Sequence, residues 1–252
     1  MAAVIGVCLF AQAFVRLRRR GRADHAPWTR PLVFGAAVAI GLFALLSPLD
    51  EVAEEQLLSA HMLQHVLIGD LVPALLLVAV RGPLVLFLIP PAPLRGLARV
   101  RPLRATLSVL LRPLVSFAVW AGGLAVWHVP AVYDAVLTRP LLHDLEHATF
   151  FLGGLLVWAQ LVDPARRGAL GPNAKLGYAL ALFACGTAFS NVLLLRFDPL
   201  YPAYGSLGDQ RAAAFTMMLE QLLTLGTFAA VMLRARAREP LALAADRHPV
   251  AL

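Results

Sequence analysis

Apolar residues are grouped into seven long runs, separated by segments in which charged residues and prolines are concentrated. About 20 apolar residues are enough to cross the hydrocarbon layer of a membrane as a helix. The first run is shorter and is followed by RLRRRGR, whereas a signal peptide carries its positive charge before its apolar core, so we interpret it as a retained helix. The pattern predicts an all-α, polytopic membrane helix bundle with spans at about 1–15, 31–48, 57–80, 113–128, 141–162, 175–195 and 212–233.

The segments between these runs predict less regular structure. Residues 83–89 form a short apolar stretch, which suggests a broken or interfacial helix. Residues 90–112 contain PPAP and five arginines, which predicts an irregular, solvated loop. We treat 1–233 as one transmembrane domain and 234–252 as a basic cytoplasmic tail, expected to be disordered.

Composition supports a membrane protein. The chain is 60% apolar and only 15% charged, with a mean hydropathy of +0.73, whereas about a quarter of the residues in a soluble domain are charged. The net charge of +7 would suggest a nucleic-acid partner in a soluble protein. Here the arginines fall between apolar runs, so we expect the lipid bilayer as the partner and no nucleic acid.

Basic residues alternate between the segments that connect the spans. Six lie in 16–30, six in 81–112, three in 166–175 and three in 234–238. The intervening connections are poor in them: none lies in 49–60, and the later two carry Arg139, then Arg196 and Arg211. Because cytoplasmic loops are enriched in Lys and Arg, this alternation predicts seven helices with the N-terminus outside and the C-terminus inside.

Five histidines are predicted to lie at one depth, near the outer leaflet. His61 and His65 begin one span, and His143 and His147 begin another, each pair with the i, i+4 spacing that puts both rings on one helix face. His128 ends the span between them. The remaining two histidines, His25 and His248, lie in charged segments on the predicted inner side, where we expect them to be solvated.

This convergence predicts a metal site. Imidazole is a good ligand for copper and zinc. Ionisable groups at membrane depth are costly, so they usually serve a function. Three neighbours are weaker candidate ligands: Met62, Glu146 and Met217, of which the thioethers suit Cu(I). The alternative is that the histidines hydrogen-bond one another and nearby polar groups as interfacial structure.

Asp70 is a second feature at membrane depth. On a regular helix it lies on the face opposite His61 and His65. We expect it to pair with Asn191 or with an inner-loop arginine, and a role in proton relay is the alternative. The two cysteines, Cys8 and Cys185, lie in apolar runs without a CxxC motif, so a thiolate site is not expected.

Five motifs carry a resemblance to a known family. They are HMLQH at 61–65, WHVPAVYD at 127–134, LHDLEH at 142–147, DPLYPAY at 198–204, and DQ at 209–210 followed by Met217. From about residue 30 to 233 the chain resembles the multi-span CtaG-type cytochrome c oxidase assembly factors of bacteria. The resemblance implies a seven-helix protein of the bacterial plasma (inner) membrane that helps to assemble haem–copper oxidases, with copper insertion as the step.

We therefore expect a copper-binding chaperone rather than an enzyme. It would bind copper, as Cu(I), through His61, His65, His128, His143 and His147, and deliver it to a cytochrome c oxidase subunit. A periplasmic copper carrier is a further candidate partner. Three alternatives stay open at this point: a membrane zinc hydrolase in which Ser59 joins the histidines and Glu146 is the base, a haem-binding protein, and a docking scaffold without metal.

Overall fold

The computed structural model describes residues 1 to 247, without the side chains of Ala2, Glu54 and residues 239 to 247. Within this range the chain contains helices and no strand, which confirms the all-α prediction. In chain order the α-helices are α1 (Ala2–Arg19), α2 (Thr29–Leu46), α3 (Pro48–Glu55), α4 (Leu58–Val66), α5 (Val72–Ala79), α6 (Pro83–Phe87), α7 (Pro91–Arg99), α8 (Arg101–Leu110), α9 (Pro113–Trp127), α10 (Pro130–Leu137), α11 (Pro140–Val162), α12 (Pro172–Leu194) and α13 (Leu207–Arg247).

Five helical segments of the described chain are long and apolar enough to cross a membrane, which makes this a multi-pass membrane protein. They are Ala23–Leu46, Leu58–Ala79, Pro140–Val162, Pro172–Leu194 and Leu207–Arg238. The pair α8 and α9, bent by 79° at the break between them, is a sixth candidate. Helix α1 is not among them, because its 18 residues include Arg16, Arg18 and Arg19.

Two segments differ from the expectation. Residues 90–112 form the helices α7 and α8 rather than an irregular loop. Their prolines lie in the first helical turn, where the missing N–H breaks no hydrogen bond, so proline here starts helices instead of interrupting them. The tail is helical as far as Arg247, because alanine, arginine and leucine dominate it and favour helix; the rest, from His248 onward, lies outside the described residues.

The span that carries His61 and His65 is interrupted by one π-helical turn, Leu67–Leu71, between α4 and α5. This turn lies against α11 at a point where both backbones lack side chains. A Cβ added at Gly154 would overlap the carbonyl oxygen of Gly69, so only glycine allows α11 to come so close. At the neighbouring Gly153 the space is less tight: an added Cβ would lie 3.6 Å from the Cα of Trp120 in α9, which is an ordinary contact distance. Gly154 therefore serves packing within the chain, and it brings α11 against the span that carries His61 and His65.

Candidate metal centre

Helix α4 is held in place by a residue from the far end of the chain. The carboxylate of Asp209 accepts hydrogen bonds from Leu58 N at 2.6 Å and Ser59 N at 3.3 Å, and from the Ser59 hydroxyl. A carboxylate at a helix N-terminus satisfies unpaired N–H groups and interacts favourably with the helix dipole. The DQ motif thus positions the turn that carries His61, a role that the sequence did not reveal because about 150 residues separate the partners.

Four histidine rings meet in one buried cluster. The ring centroid of His61 lies 4.3 Å from that of His65 and 5.4 Å from that of His143. The centroid of His147 lies 4.2 Å from that of His143 and 5.3 Å from that of His65. The structure therefore brings the two distant His-x-x-x-His pairs face to face, as the helical spacing and the loop charges predict.

Three of these histidines and one carboxylate could hold a single ion. One ligand atom each from His61, His65, His143 and Glu146 lies within 4.8 Å of the others. All four side chains are buried, and Glu146 is only 1% exposed. Two nitrogen ligands about 2 Å from a tetrahedral ion lie about 3.3 Å apart. The Nε2 atoms of His61 and His65 are 2.9 Å apart, which is close to that separation.

Tyr204 fixes the orientation of the His61 ring. Its hydroxyl donates to the carbonyl of Ala53 at 2.8 Å, so it accepts from His61 Nδ1, also at 2.8 Å. A neutral imidazole with its proton on Nδ1 has its lone pair on Nε2, which is the atom that faces His65. The loop that follows α12 therefore holds His61 in the tautomer that a metal ligand needs, and no role for Tyr204 was predicted from the sequence.

Tyr133 of α10 also forms a hydrogen bond with the hydroxyl of Tyr204. Burial raises the pKa of Tyr133 well above its usual value, so this side chain stays protonated and donates to the Tyr204 oxygen at 3.3 Å. Its ring stacks on Tyr201 with centroids 4.0 Å apart. Tyr201 in turn donates to the carbonyl of His128 at 3.0 Å. The YD and DPLYPAY motifs thus form one tyrosine layer over the cluster.

Glu146 is the acidic member of the cluster. Its Oε2 lies 3.6 Å from His65 Nε2. Next to it, Asp144 is exposed and borders a cavity of about 170 Å³ whose lining also includes Asp50, His143 and His147. Acidic groups in this lining would attract cations, and the cavity borders the cluster on the side of the α11 pair.

The other candidate ligands lie on a different side of the cluster. His128 is not part of the four-residue set, and its Nδ1 donates to the carbonyl of Leu124 at 2.8 Å. With Met62 and Met217 it lines a separate internal cavity, which His65 also borders. Met218, next in sequence, faces an outer groove beside Phe215 instead.

Asp70 does not have the partners expected from the sequence. Its carboxylate accepts hydrogen bonds from the indole of Trp158 and from the hydroxyl of Thr224, the latter at 3.3 Å. Neither Asn191 nor an arginine takes part in these bonds. The π-helical turn is the reason: i and i+5 are neighbours in a π-helix, so Asp70 borders the same cavity as His65 rather than facing away.

Ser59 bears on the hydrolase alternative. Its hydroxyl donates to Asp209 and it is not part of the ligand cluster.

Gln210, the second residue of the DQ motif, accepts from Leu200 N at 2.6 Å and donates to Leu193 O at 2.9 Å, which ties the tyrosine-bearing loop to α12. His25 is partly exposed, with its Nε2 3.1 Å from Asp24 Oδ2, and it is not part of the ligand cluster.

The fold and the site define an all-helical, multi-pass membrane protein with a buried histidine–carboxylate cluster at one end of its bundle. A family model described as "Cytochrome c oxidase caa3 assembly factor (Caa3_CtaG)" matches residues 8–239, and the chain belongs to this family. No curated protein and no solved structure matches the chain. Membership implies a role in oxidase assembly within the membrane.

Proposed function

We propose that this chain binds a copper ion as cargo in the histidine cluster and delivers it to a subunit of cytochrome c oxidase. His61, His65, His143 and Glu146 supply the ligands, and His147 exchanges with them. The observation that carries the proposal is the convergence of four buried donor atoms within 4.8 Å in a member of an oxidase assembly family. Imidazole-rich sites bind copper and zinc, and haem–copper oxidases need the former.

The cluster favours exchange over permanent storage. The lone pair of His61 Nε2 faces His65 Nε2 at 2.9 Å, so in the metal-free chain one proton bridges the two nitrogens. A cation that binds both nitrogens displaces that proton, which His65 can carry on Nδ1 instead, because that atom has no hydrogen-bond partner among the described residues. His147 Nε2 is buried and has no hydrogen-bond partner among the described residues, so it is available as an entering or leaving ligand. We infer a non-enzymatic role, because the hydroxyl of Ser59, which the hydrolase alternative needs as a ligand, donates a hydrogen bond to Asp209 instead.

The proposal includes an orientation. With α1 and α9 added to the five long candidates, the chain has seven spans in the plasma membrane of a bacterium, N-terminus out and C-terminus in. The alternation of arginine-rich connections supports this arrangement. The cluster then opens on the outer side, where a periplasmic copper carrier would load it.

Metal content tests the proposal. We would load the detergent-purified full chain with Cu(I) and measure copper and zinc per chain by elemental analysis, beside a His143→Ala/His147→Ala variant. The matched control is His25→Ala, which removes a surface histidine. Copper that is retained in the control and lost in the double variant is the expected result. Zinc in place of copper favours the hydrolase, a Soret band in the absorption spectrum favours haem, and a well-folded wild type without metal leaves the docking scaffold.

A further inference from the structure

A second cavity adjoins the histidine cluster and extends into the bundle. Its volume is about 60 Å³, enough for roughly two to four water molecules. His65 borders the cavity on the side of the cluster. His128 at the end of α9 and Met217 of α13 also line it, as do Asp70 and Glu220, which come later in their spans than His65 and Met217. The metal centre described above does not account for this space.

The polar atoms that face this cavity without a partner are lone-pair donors. His128 uses Nδ1–H to bond the Leu124 carbonyl, so its Nε2 carries a lone pair, and that atom is buried without a hydrogen-bond partner among the described residues. Gln221 is 7% exposed, and its Oε1 is also unpaired there, while its amide nitrogen bonds Met217 O at 3.2 Å. A buried acceptor without a donor is costly, so a positively charged or proton-donating group fits this space.

The ionisable side chains of the lining also favour a cation in this cavity. Asp70 and Glu220 both line the cavity and supply two carboxyl groups to it. No lysine or arginine is among the residues, all of them described, that line the cavity. A carboxylate without a counter-charge is expensive inside a membrane protein, so a carboxylate here would be stabilised by a bound monovalent cation.

The softest donors identify the cation. The thioethers of Met62 and Met217 are 1% and 5% exposed and line the same cavity as His128 Nε2. Two thioethers and one imidazole are a donor set that prefers Cu(I) to harder ions. Met218 provides the contrast within the same helix, because it lines the outer groove.

We propose that this cavity is a second, interior Cu(I) site, in which His128 and the two methionines bind the ion and the Asp70–Glu220 pair balances its charge. The inference rests on the proposed copper function. It assigns two copper-binding positions to the chain, occupied one after the other. The histidine cluster with Glu146 receives the ion, and the cavity lined by the two methionines holds it beyond His65. His65, which borders both spaces, is the residue past which the ion moves.

The test is a count of bound ions combined with a probe of sulfur ligation. We would titrate the full chain in detergent with Cu(I) under reducing conditions and record X-ray absorption at the copper edge. We expect two ions per chain and a sulfur contribution in the wild type. Met62→Leu/Met217→Leu, which keeps the side-chain volume, should bind one ion without the sulfur contribution, and Met218→Leu should behave as the wild type does.

The outcomes separate this inference from the proposed function. One ion per chain without sulfur ligation, lost in His143→Ala/His147→Ala, overturns the interior site and leaves the cluster in place. No copper in the folded wild type overturns both. Sulfur ligation that persists in the double methionine variant overturns the assignment of the ligands. If that variant does not fold, Met217→Leu alone should weaken one of the two sites by at least tenfold, and an unchanged affinity overturns the role of Met217.

Discussion

The two His-x-x-x-His pairs have the same spacing and occupy the fourth and eighth residues of their helices, yet their surroundings differ. The α4 pair is almost fully enclosed: His61 is bonded to Tyr204, and its helix is capped by Asp209. Among the described residues no side chain caps α11, and its pair, His143 and His147, borders a cavity with exposed Asp144. The same motif therefore produces one pair held by distant side chains and one buried pair that borders a cavity, and the contacts around each pair make the difference.

The largest effect should come from separating the two pairs. Gly154→Ala places a methyl group on the carbonyl of Gly69, so α11 must move away from the π-helical turn, and we expect a loss of about 3 kcal/mol in stability. Copper bound in the cluster should fall with it, because the pairs no longer meet. Thermal unfolding in detergent and copper per chain measure both effects.

The matched control is the neighbouring Gly153→Ala. The nearest atom to its new methyl group is Trp120 Cα at 3.6 Å, an ordinary contact, so stability should stay near that of the wild type. Equal behaviour of the two variants would mean that the approach of α11 to the π-helical turn does not position the pairs.

A smaller effect, confined to the α4 pair, should follow from removing its cap. Asp209→Ala leaves the N–H groups of Leu58 and Ser59 without their partner, which we expect to reduce stability by about 1–2 kcal/mol and to weaken copper binding. Asp198→Ala is the control, since that carboxylate is exposed and pairs with Arg196. A loss of similar size in the control would remove the special role of the cap.

Tyr204→Phe tests whether the α4 pair is pre-oriented. The variant keeps the ring but leaves His61 Nδ1 without its acceptor, and loss of such a second partner typically costs tenfold or more in metal affinity. We expect about a tenfold weaker Cu(I) affinity, measured by competition with a chelator. Tyr201→Phe removes a hydroxyl that bonds His128 O instead, so cluster affinity should be nearly unchanged in that variant.

The smallest effect concerns the α11 pair beside the cavity. Asp144→Asn removes an exposed negative charge beside the outer cavity, and we expect copper loading to slow by about two- to threefold at low salt, with no change in equilibrium affinity. Stopped-flow loading at two salt concentrations measures this, because the difference should vanish when charges are screened. A rate that is insensitive to both changes would argue for entry elsewhere.

The sequence predicted the helices and the histidine pairs because both depend on local periodicity. The spacing of His143 and His147 places them on one face of α11 whatever surrounds them, and the alternation of arginines places both pairs at one end. Asp209 and Tyr204 escaped prediction, because their partners Leu58 and His61 are 151 and 143 residues away in the chain. The acidic residue directly before an apolar run was the only local signal for the cap.

Two further differences have local causes that periodicity does not register. Prolines in 90–112 indicate a loop when they are counted as helix breakers, yet at the first turn of α7 and α8 they are compatible with helix. Asp70 was assigned to the wrong face because the prediction assumed 3.6 residues per turn throughout. The placement of His128 beside the interior cavity depends on how α9 ends against the tyrosine layer, which is a tertiary contact.

The π-helical turn at Leu67–Leu71 divides its span into two halves with independent rotational phases. One surplus residue rotates everything after it by about 100° relative to a continuous α-helix. The face of α5 that packs on α2 is therefore set separately from the face of α4 that presents His61 and His65. Deleting one residue from this turn would keep the span apolar and helical. It would also rotate α4 relative to α5, so that either the histidines or the face of α5 that packs on α2 would face lipid.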